Sequence, residues 1–478
     1  MTSHITDRLA EFVVDNADRR LTPAQAGAAT MAVVDSIGVI AAGLTADAGR
    51  AMLAYARGLV PAGGPTRWWG APAALTASTA AMTAATMGHS LDFDDALPGA
   101  GHPSVVLLAA LLAAGPTAGP ATGPATVSGA DLLSGFVVGY EVNARLSRAV
   151  NPGHYAHGWH TTSTIGTFGA IAAVCALRRL KADQVRTAFG IGASLSGGLQ
   201  RNFGTGTKPF HSGLAAGHGL LATDLCLAGL GADQAVFDGG RGYLDIYAWG
   251  EGADDAFDHL GESWAITDPG PTLKKYPCAL ELYRVVDATL EAIERLGVTG
   301  ADLARIDCVV PPGTTGPLLY DRPTTPLEAK FCLPYAVAAA ALDGGLRLDS
   351  FSPPALARPE VRALMERVSV REDVACRPED PTGRHSSASS GGFVDVRVTT
   401  SDGRGTTARV GVVAGSPGRP LTPAERRAKW ADCLQAGGRA PQVAAPVFDA
   451  LQALAELDDV DAVLRVLTPP DAERMTHD

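Results

Sequence analysis

The sequence is poor in cysteine, in aromatic side chains and in paired ligand motifs. Its cysteines stand singly, at 175, 226, 278, 308, 332, 376 and 433. No CxxC occurs, so neither a zinc site nor a disulfide framework is indicated. Aromatic residues are only 6% of the chain, too few to line the large cavity in which a terpene cyclase steers carbocations. The opening MTSHITDRLAEF has no apolar core of a signal peptide. The apolar run AATMAVVDSIGVIAAGL is broken by Asp35 and by glycines, so no membrane span is expected. A reducing cytoplasm is the expected setting. The net charge of −11 argues against nucleic-acid or membrane-surface partners. It leaves room for one local cationic pocket that takes a small anion.

What is present is small and helical. The chain has 478 residues, enough for two domains or one large domain with an insertion. Thr22-Pro23-Ala24-Gln25 reads as a helix start, with Thr as N-cap, Pro at the first position and Gln at the capping-box position. Helices are expected over 73–88, 103–114, 129–149, 162–179, 182–196, 212–229 and 249–260. Alanine and glycine stand where leucine is usual, so helix axes should approach closely. AAGPTAGPATGPATVSGA, 113–130, reads as a surface connector. From about 267 strands join the helices: LARIDCVVPP, VSVRED, FVDVRVTTSDG and TTARVGVVAG, with SDG as a hairpin turn. RPEDPTGRHSSASSGG, 377–392, reads as a loop. LTPAERRAKWADCLQ restores the helical pattern. The fold class is therefore mainly α with an inserted α/β domain. Helical domain boundaries are placed at 1–266 and 415–478, and the α/β unit, with a largely antiparallel sheet, at 267–414.

Several clusters could carry chemistry. HSLDFDDALPGAGHPS sets Asp92, Asp94 and Asp95 between two histidines. They could bind a metal, donate a proton as DxDD does in one class of terpene cyclase, or simply hydrate a helix end. The DDxxD spacing of magnesium-dependent synthases is absent. His102-Pro103 places an imidazole at the N-cap of a helix, where the dipole disfavours its charged form and a neutral general base results. NPGHYAHGWHTTSTIG carries His154, His157 and His160 without the glutamate of an HExxH motif. His160, beside a helix start, is the expected functional member, and His154 and His157 are expected at the surface or behind the site. LQRNFGTGTKPFHSG lacks GxxxxGK and is no phosphate loop. Instead Arg201, Lys208 and His211 lie in a glycine-rich loop before a helix, an arrangement suited to carboxylates or to a solvent-facing basic loop. LKKYPCALELY brings Lys274, Lys275 and Tyr276 to a domain junction, and PLLYDRPTTPLEAKF brings Tyr320 and Arg322 after a strand.

In order, LDFDD…GHPS, GYE, GWHTTSTIG, NFGTGTKPFHSGLAAGHG, KKYPC and PLTPAERRAKW resemble the MmgE/PrpD family across nearly the whole chain. That family includes 2-methylcitrate dehydratase, cis-aconitate decarboxylase and iminodisuccinate epimerase. The resemblance implies a helical domain, a smaller α/β lid, a homodimer, and chemistry on small di- or tricarboxylates with neither metal nor other cofactor. By motif position it implies Asp92, His102, His160, Lys208 and Tyr320 as catalytic residues. Lys274, Lys275, Arg201, His211 and Ala96 would face the substrate. Ala96 departs from the pattern, since decarboxylase and dehydratase members carry threonine there.

The residues suit that chemistry. Histidine abstracts a proton near neutrality. Lysine neutralises carboxylates and developing enolate charge. Asp92 would orient an imidazole, and Tyr320 could donate a proton. A lyase, dehydratase or decarboxylase, is the first reading, and an epimerase or isomerase of a dicarboxylic acid is the second. A carboxylate-binding protein without turnover is the third.

Overall fold

A computed structural model describes residues 4–59, 66, 75–115, 126–249, 254–379 and 391–468. Much of the 113–130 connector and of the 377–392 loop lies outside them. The chain divides into two units. One comprises residues 1–199, 209–271 and 422–478, and the other 200–208 and 272–421. Each has its own apolar core.

The first unit is helical. Its helices include Pro23–Gly43, Ala77–His89, Pro103–Ala114, Gly129–Val150, Gly166–Leu177, Ala182–Ala193 and Pro423–Ala436. The Thr22 capping box forms as its sequence dictates, with Gln25 N donating to Thr22 Oγ1 at 3.3 Å and Thr22 N donating to Gln25 Oε1 at 3.0 Å. Thr422 and Glu425 repeat the device at the C-terminal helix. Small residues do bring axes together. A Cβ on Gly139 would sit 2.6 Å from the carbonyl oxygen of Gly169 and 2.8 Å from Ala173 Cβ, so a larger residue would push Gly129–Val150 off Gly166–Leu177.

Pro23–Gly43 is, among the described residues, the one helix long and apolar enough by length and composition to cross a membrane. Most of it is buried inside the protein, and its Asp35 pairs with Lys429 at 2.7 Å. Those are the properties of a core helix.

The GYE segment is an anchor. Glu141 accepts from Ala265 N and from Arg145 Nε, each at 2.6 Å. Arg145 then donates to the carbonyls of Ala256, Asp258, His259 and Ser263. One buried ion pair thereby ties four carbonyls of the 256–263 segment to helix Gly129–Val150.

The second unit holds a sheet of order β2-β1-β3-β4, formed by β1 (Leu303–Val310), β2 (Val368–Glu372), β3 (Val394–Thr400) and β4 (Gly405–Val410). β1 pairs parallel with β2 and antiparallel with β3, and β3 pairs antiparallel with β4. The turn after β3 places Gly403 at φ +87°, as the SDG signal requires. Helices Tyr283–Leu296 and Leu333–Asp343 complete this core.

Several helix boundaries differ from expectation, among them that of 162–179, which is divided into Thr161–Thr164 and Gly166–Leu177. The helix expected over 249–260 is instead Tyr243–Ala248, stopped by Trp249 in left-handed backbone, with a separate 3-10 turn at Asp254–Phe257. LEAKFCLPYAVAAAALDGG is split into Pro326–Ala329 and Leu333–Asp343, since Pro334 is accommodated only in a first helical turn. The helix expected from 212 begins at Thr207, so Lys208 and His211 are helical rather than loop residues. Pro209 is tolerated because it too sits in the first turn.

Candidate functional site

The helical unit gathers the aspartates and histidines. Helix Ala77–His89 ends at His89, and the chain turns back through Asp92 in left-handed backbone at φ 51°. A small loop then leads to His102, the N-cap of Pro103–Ala114. Gly101, at φ +77°, allows the return, and a Cβ there would lie 2.3 Å from Thr162 Oγ1. That hydroxyl accepts from His102 N at 3.1 Å.

His102 Nδ1 lies 2.8 Å from the main-chain oxygen of Asp95. A carbonyl only accepts, so Nδ1 carries the hydrogen and Nε2 of the neutral ring carries the lone pair. The Asp95 carboxylate fastens the same turn, accepting from Ser104 N at 3.2 Å and Ser104 Oγ at 2.7 Å. Burial pushes its pKa up to about 8, opposed by the Ser104 hydrogen bonds.

The carboxylate beside the imidazoles is that of Asp94. Its oxygens lie 2.9 and 3.0 Å from His89 Nδ1 and one lies 3.6 Å from His102 Nδ1. Asp92 was the residue expected to orient an imidazole; of the hydrogen bonds described at these rings, that of His89 runs to Asp94 and that of His102 to the Asp95 carbonyl. Asp92 is buried next to them. His89, Asp92, Asp94 and His102 each place one ligand-type atom within 4.8 Å of the others. Such a donor set could hold a divalent cation. It is equally a base with its orienting carboxylate, and the hydrogen bonds already made at both Nδ1 atoms suit the second use. Ala96 is buried in the same turn.

The imidazoles continue inward. The rings of His89 and His102 are 4.3 Å apart, and those of His89 and His160 are 6.1 Å apart. His160 Nδ1 meets His211 Nδ1 at 2.9 Å. His160 donates its main-chain N–H to Gly198 O at 3.0 Å and is the N-cap of Thr161–Thr164. His154 is buried, not at the surface, with Nε2 2.7 Å from Thr164 Oγ1. Burial lowers its pKa to about 4. His157 is exposed and stacks on Trp249 with ring centroids 4.0 Å apart.

Lys429 supports this cluster from the C-terminal helix. Its Nζ lies 2.7 Å from Asp35 Oδ1 and 2.8 Å from the carbonyl of Phe93, between Asp92 and Asp94. Burial raises the pKa of Asp35, opposed by Lys429.

The second unit gathers the lysines. Lys208 is buried, its Nζ 5.5 Å from the Phe203 ring and 5.2 Å from the Phe331 ring. Tyr320 donates to the carbonyl of Phe203 at 3.1 Å, so Lys208 and Tyr320 converge on one residue. Arg201, on a 3-10 turn at Gln200–Asn202, is exposed and opposes the upward push of burial on the Tyr320 pKa. Lys274 and Lys275, adjacent in sequence, have different roles. Lys274 is buried and donates to Cys278 O at 3.0 Å. Lys275 is half-buried, 3.8 Å from Asp287, a carboxylate already paired with Arg419 and the Tyr276 hydroxyl. Lys330 joins Lys274 on the same turn, donating to Pro277 O at 2.6 Å.

Sequence reasoning passed over His89, Lys330 and Lys429. Each lies in a quoted segment, His89 as the first histidine of the LDFDD stretch, Lys330 in PLLYDRPTTPLEAKF and Lys429 in PLTPAERRAKW.

Residues 7–255 match the family model of the MmgE/PrpD N-terminal domain, and residues 276–452 match that of the MmgE/PrpD C-terminal domain. A protein of Mus musculus named cis-aconitate decarboxylase is 26% identical over 450 residues, covering 92% of this chain and 88% of that protein. A protein of Homo sapiens with the same name is 29% identical over 310 residues, 63% of each chain. A cis-aconitate decarboxylase-like protein of Aspergillus oryzae is 27% identical over 289 residues, covering 56% of this chain and 59% of its own length.

Proposed function

The chain belongs to the MmgE/PrpD family, and on that premise we propose that it is a lyase acting on a small tricarboxylate, with cis-aconitate or 2-methylcitrate as the model substrates. The observation that carries the reading is the fixed tautomer of His102. Its Nδ1 hydrogen is directed to Asp95 O at 2.8 Å, so in the neutral ring Nε2 bears the lone pair of a general base. The names of the relatives support the substrate class.

In this reading His102 Nε2 takes the C–H proton next to a substrate carboxylate when water is eliminated, and positions the substrate when CO₂ is lost. Asp94 stabilises the imidazolium that forms, as the third member of a relay does. In dehydration His160 gives a proton to the hydroxyl, which leaves as water, and in decarboxylation it gives the proton to the carbon that keeps the electron pair left by CO₂. Lys208 and Lys274 are assigned to carboxylate charge, Tyr320 to proton donation, and Asp92 to a supporting carboxylate. Imidazole and lysine suffice for these steps, so no metal is invoked. A homodimer and a cytoplasmic setting belong to the same proposal.

Ala96 favours a second reading, epimerisation of a dicarboxylic acid such as iminodisuccinate. The buried methyl withholds a hydroxyl that decarboxylase and dehydratase members place there, while proton abstraction by His102 serves either reaction. The test is incubation with each candidate acid under proton NMR, with His102→Gln as control. Loss of CO₂ or water by the wild type alone supports the lyase. Inversion without elimination supports the epimerase.

A further inference from the structure

We propose that His160 and His211 share one proton and act as a single donor, with His211 the positioning residue for His160. The proposal rests on the lyase reading above and adds the means by which carbon is reprotonated.

Both rings are buried, and they approach Nδ1 to Nδ1 at 2.9 Å with ring planes tilted by 52°. They are held from separate elements. His160 is fixed by Gly198 O and the Thr161–Thr164 turn, and His211 lies in helix Thr207–Leu227. At this separation two Nδ1–H groups would collide and two lone pairs would repel. One Nδ1 therefore carries a hydrogen and the other accepts it. The rings must hold opposite tautomers, a constraint that no single imidazole feels.

The same contact limits charge. One added proton makes an imidazolium that donates its Nδ1–H to the neutral partner, a charge-assisted bond. A second would set two cations face to face without water between them. The neighbouring groups reinforce a single positive charge. The His89 ring lies 6.1 Å from His160, with the Asp94 carboxylate on its Nδ1. His154 reaches the His160 turn through Thr164, and burial keeps it neutral above about pH 4.

In the reaction the cationic pair gives the Nε2 proton of His160 to the carbon that holds the electron pair left by departing CO₂. The N–H bond breaks, a C–H bond forms, and the pair is left neutral with its Nδ1 hydrogen bond intact. A solvent proton restores the cation.

The test uses the full chain labelled with ¹⁵N-histidine, the wild type beside His211→Asn and His211→Leu. Asparagine places an amide near the Nδ1 position and keeps a hydrogen bond without titrating. Expected are opposite tautomers for rings 160 and 211, one shared titration step, and kcat reduced roughly 10- to 100-fold in both variants. KM should be nearly unchanged in His211→Asn, whose His160 keeps a single tautomer. The same tautomer in both wild-type rings, two independent titrations, or an unchanged His160 signal in His211→Leu would overturn the proposal. The NMR readout needs no turnover. Opposite tautomers with no lyase activity therefore uphold the shared proton while removing the lyase reading.

Discussion

His102 gives its Nδ1 hydrogen to the carbonyl of Asp95, whose own carboxylate holds Ser104 two residues past His102. The residue that sets the tautomer thus also fixes the helix start that carries the ring. His102→Gln removes the base while keeping a polar side chain of similar reach. It should lower kcat about 10²- to 10⁴-fold with little change in KM, measured by steady-state kinetics on the substrate found active.

Asp94 sits between two imidazoles, 2.9 Å from one and 3.6 Å from the other. Asp94→Asn keeps the shape and removes the charge. With no carboxylate to stabilise an imidazolium, kcat should fall at least roughly tenfold. The pH profile of kcat/KM should shift its basic-form limb to lower pH, because a protonated imidazole loses its counter-charge. An unchanged profile would reduce Asp94 to packing.

Lys429 and Asp35 form a buried pair that also grips Phe93. Lys429→Met leaves a buried carboxylate uncompensated and should cost about 3–5 kcal/mol of stability. Lys429→Met with Asp35→Leu should recover much of that loss in urea unfolding, while activity stays reduced because the Phe93 carbonyl has lost its donor.

His154 links stability to pH. Its pKa is about 4 when folded against 6.5 for the free group, so the unfolded chain binds the proton more tightly. Its contribution is fully present above about pH 6.5 and is lost as pH falls toward 4. The shift corresponds to about 3 kcal/mol. His154→Gln should flatten the fall in unfolding free energy over that window, measured by urea titration at several pH values.

What was legible in the sequence was local. The Thr22 and Thr422 caps need only residues three apart, and the SDG hairpin and β1 are equally self-contained. The helix from Thr207 was misplaced because Gly204, Gly206 and Pro209 read as loop residues, though a first turn admits proline. That displaced Lys208 and His211 from a buried helix to a loop. His89 gave no sign of its neighbours, since its contacts with His102 and His160 arise from the packing of separate helices. Which way Asp92, Asp94 and Asp95 point was not legible either, since the turn runs through left-handed backbone at Asp92 and follows no helical or strand period.

The most direct measurement is proton NMR of the enzyme with cis-aconitate in D₂O. The lyase reading expects CO₂ release and a product with one deuteron at the reprotonated carbon, abolished in His102→Gln. Recovery of every carbon, with deuterium exchanged into an unfragmented acid, would contradict decarboxylation. Retention of all carboxylates together with inversion of iminodisuccinate would establish the epimerase instead.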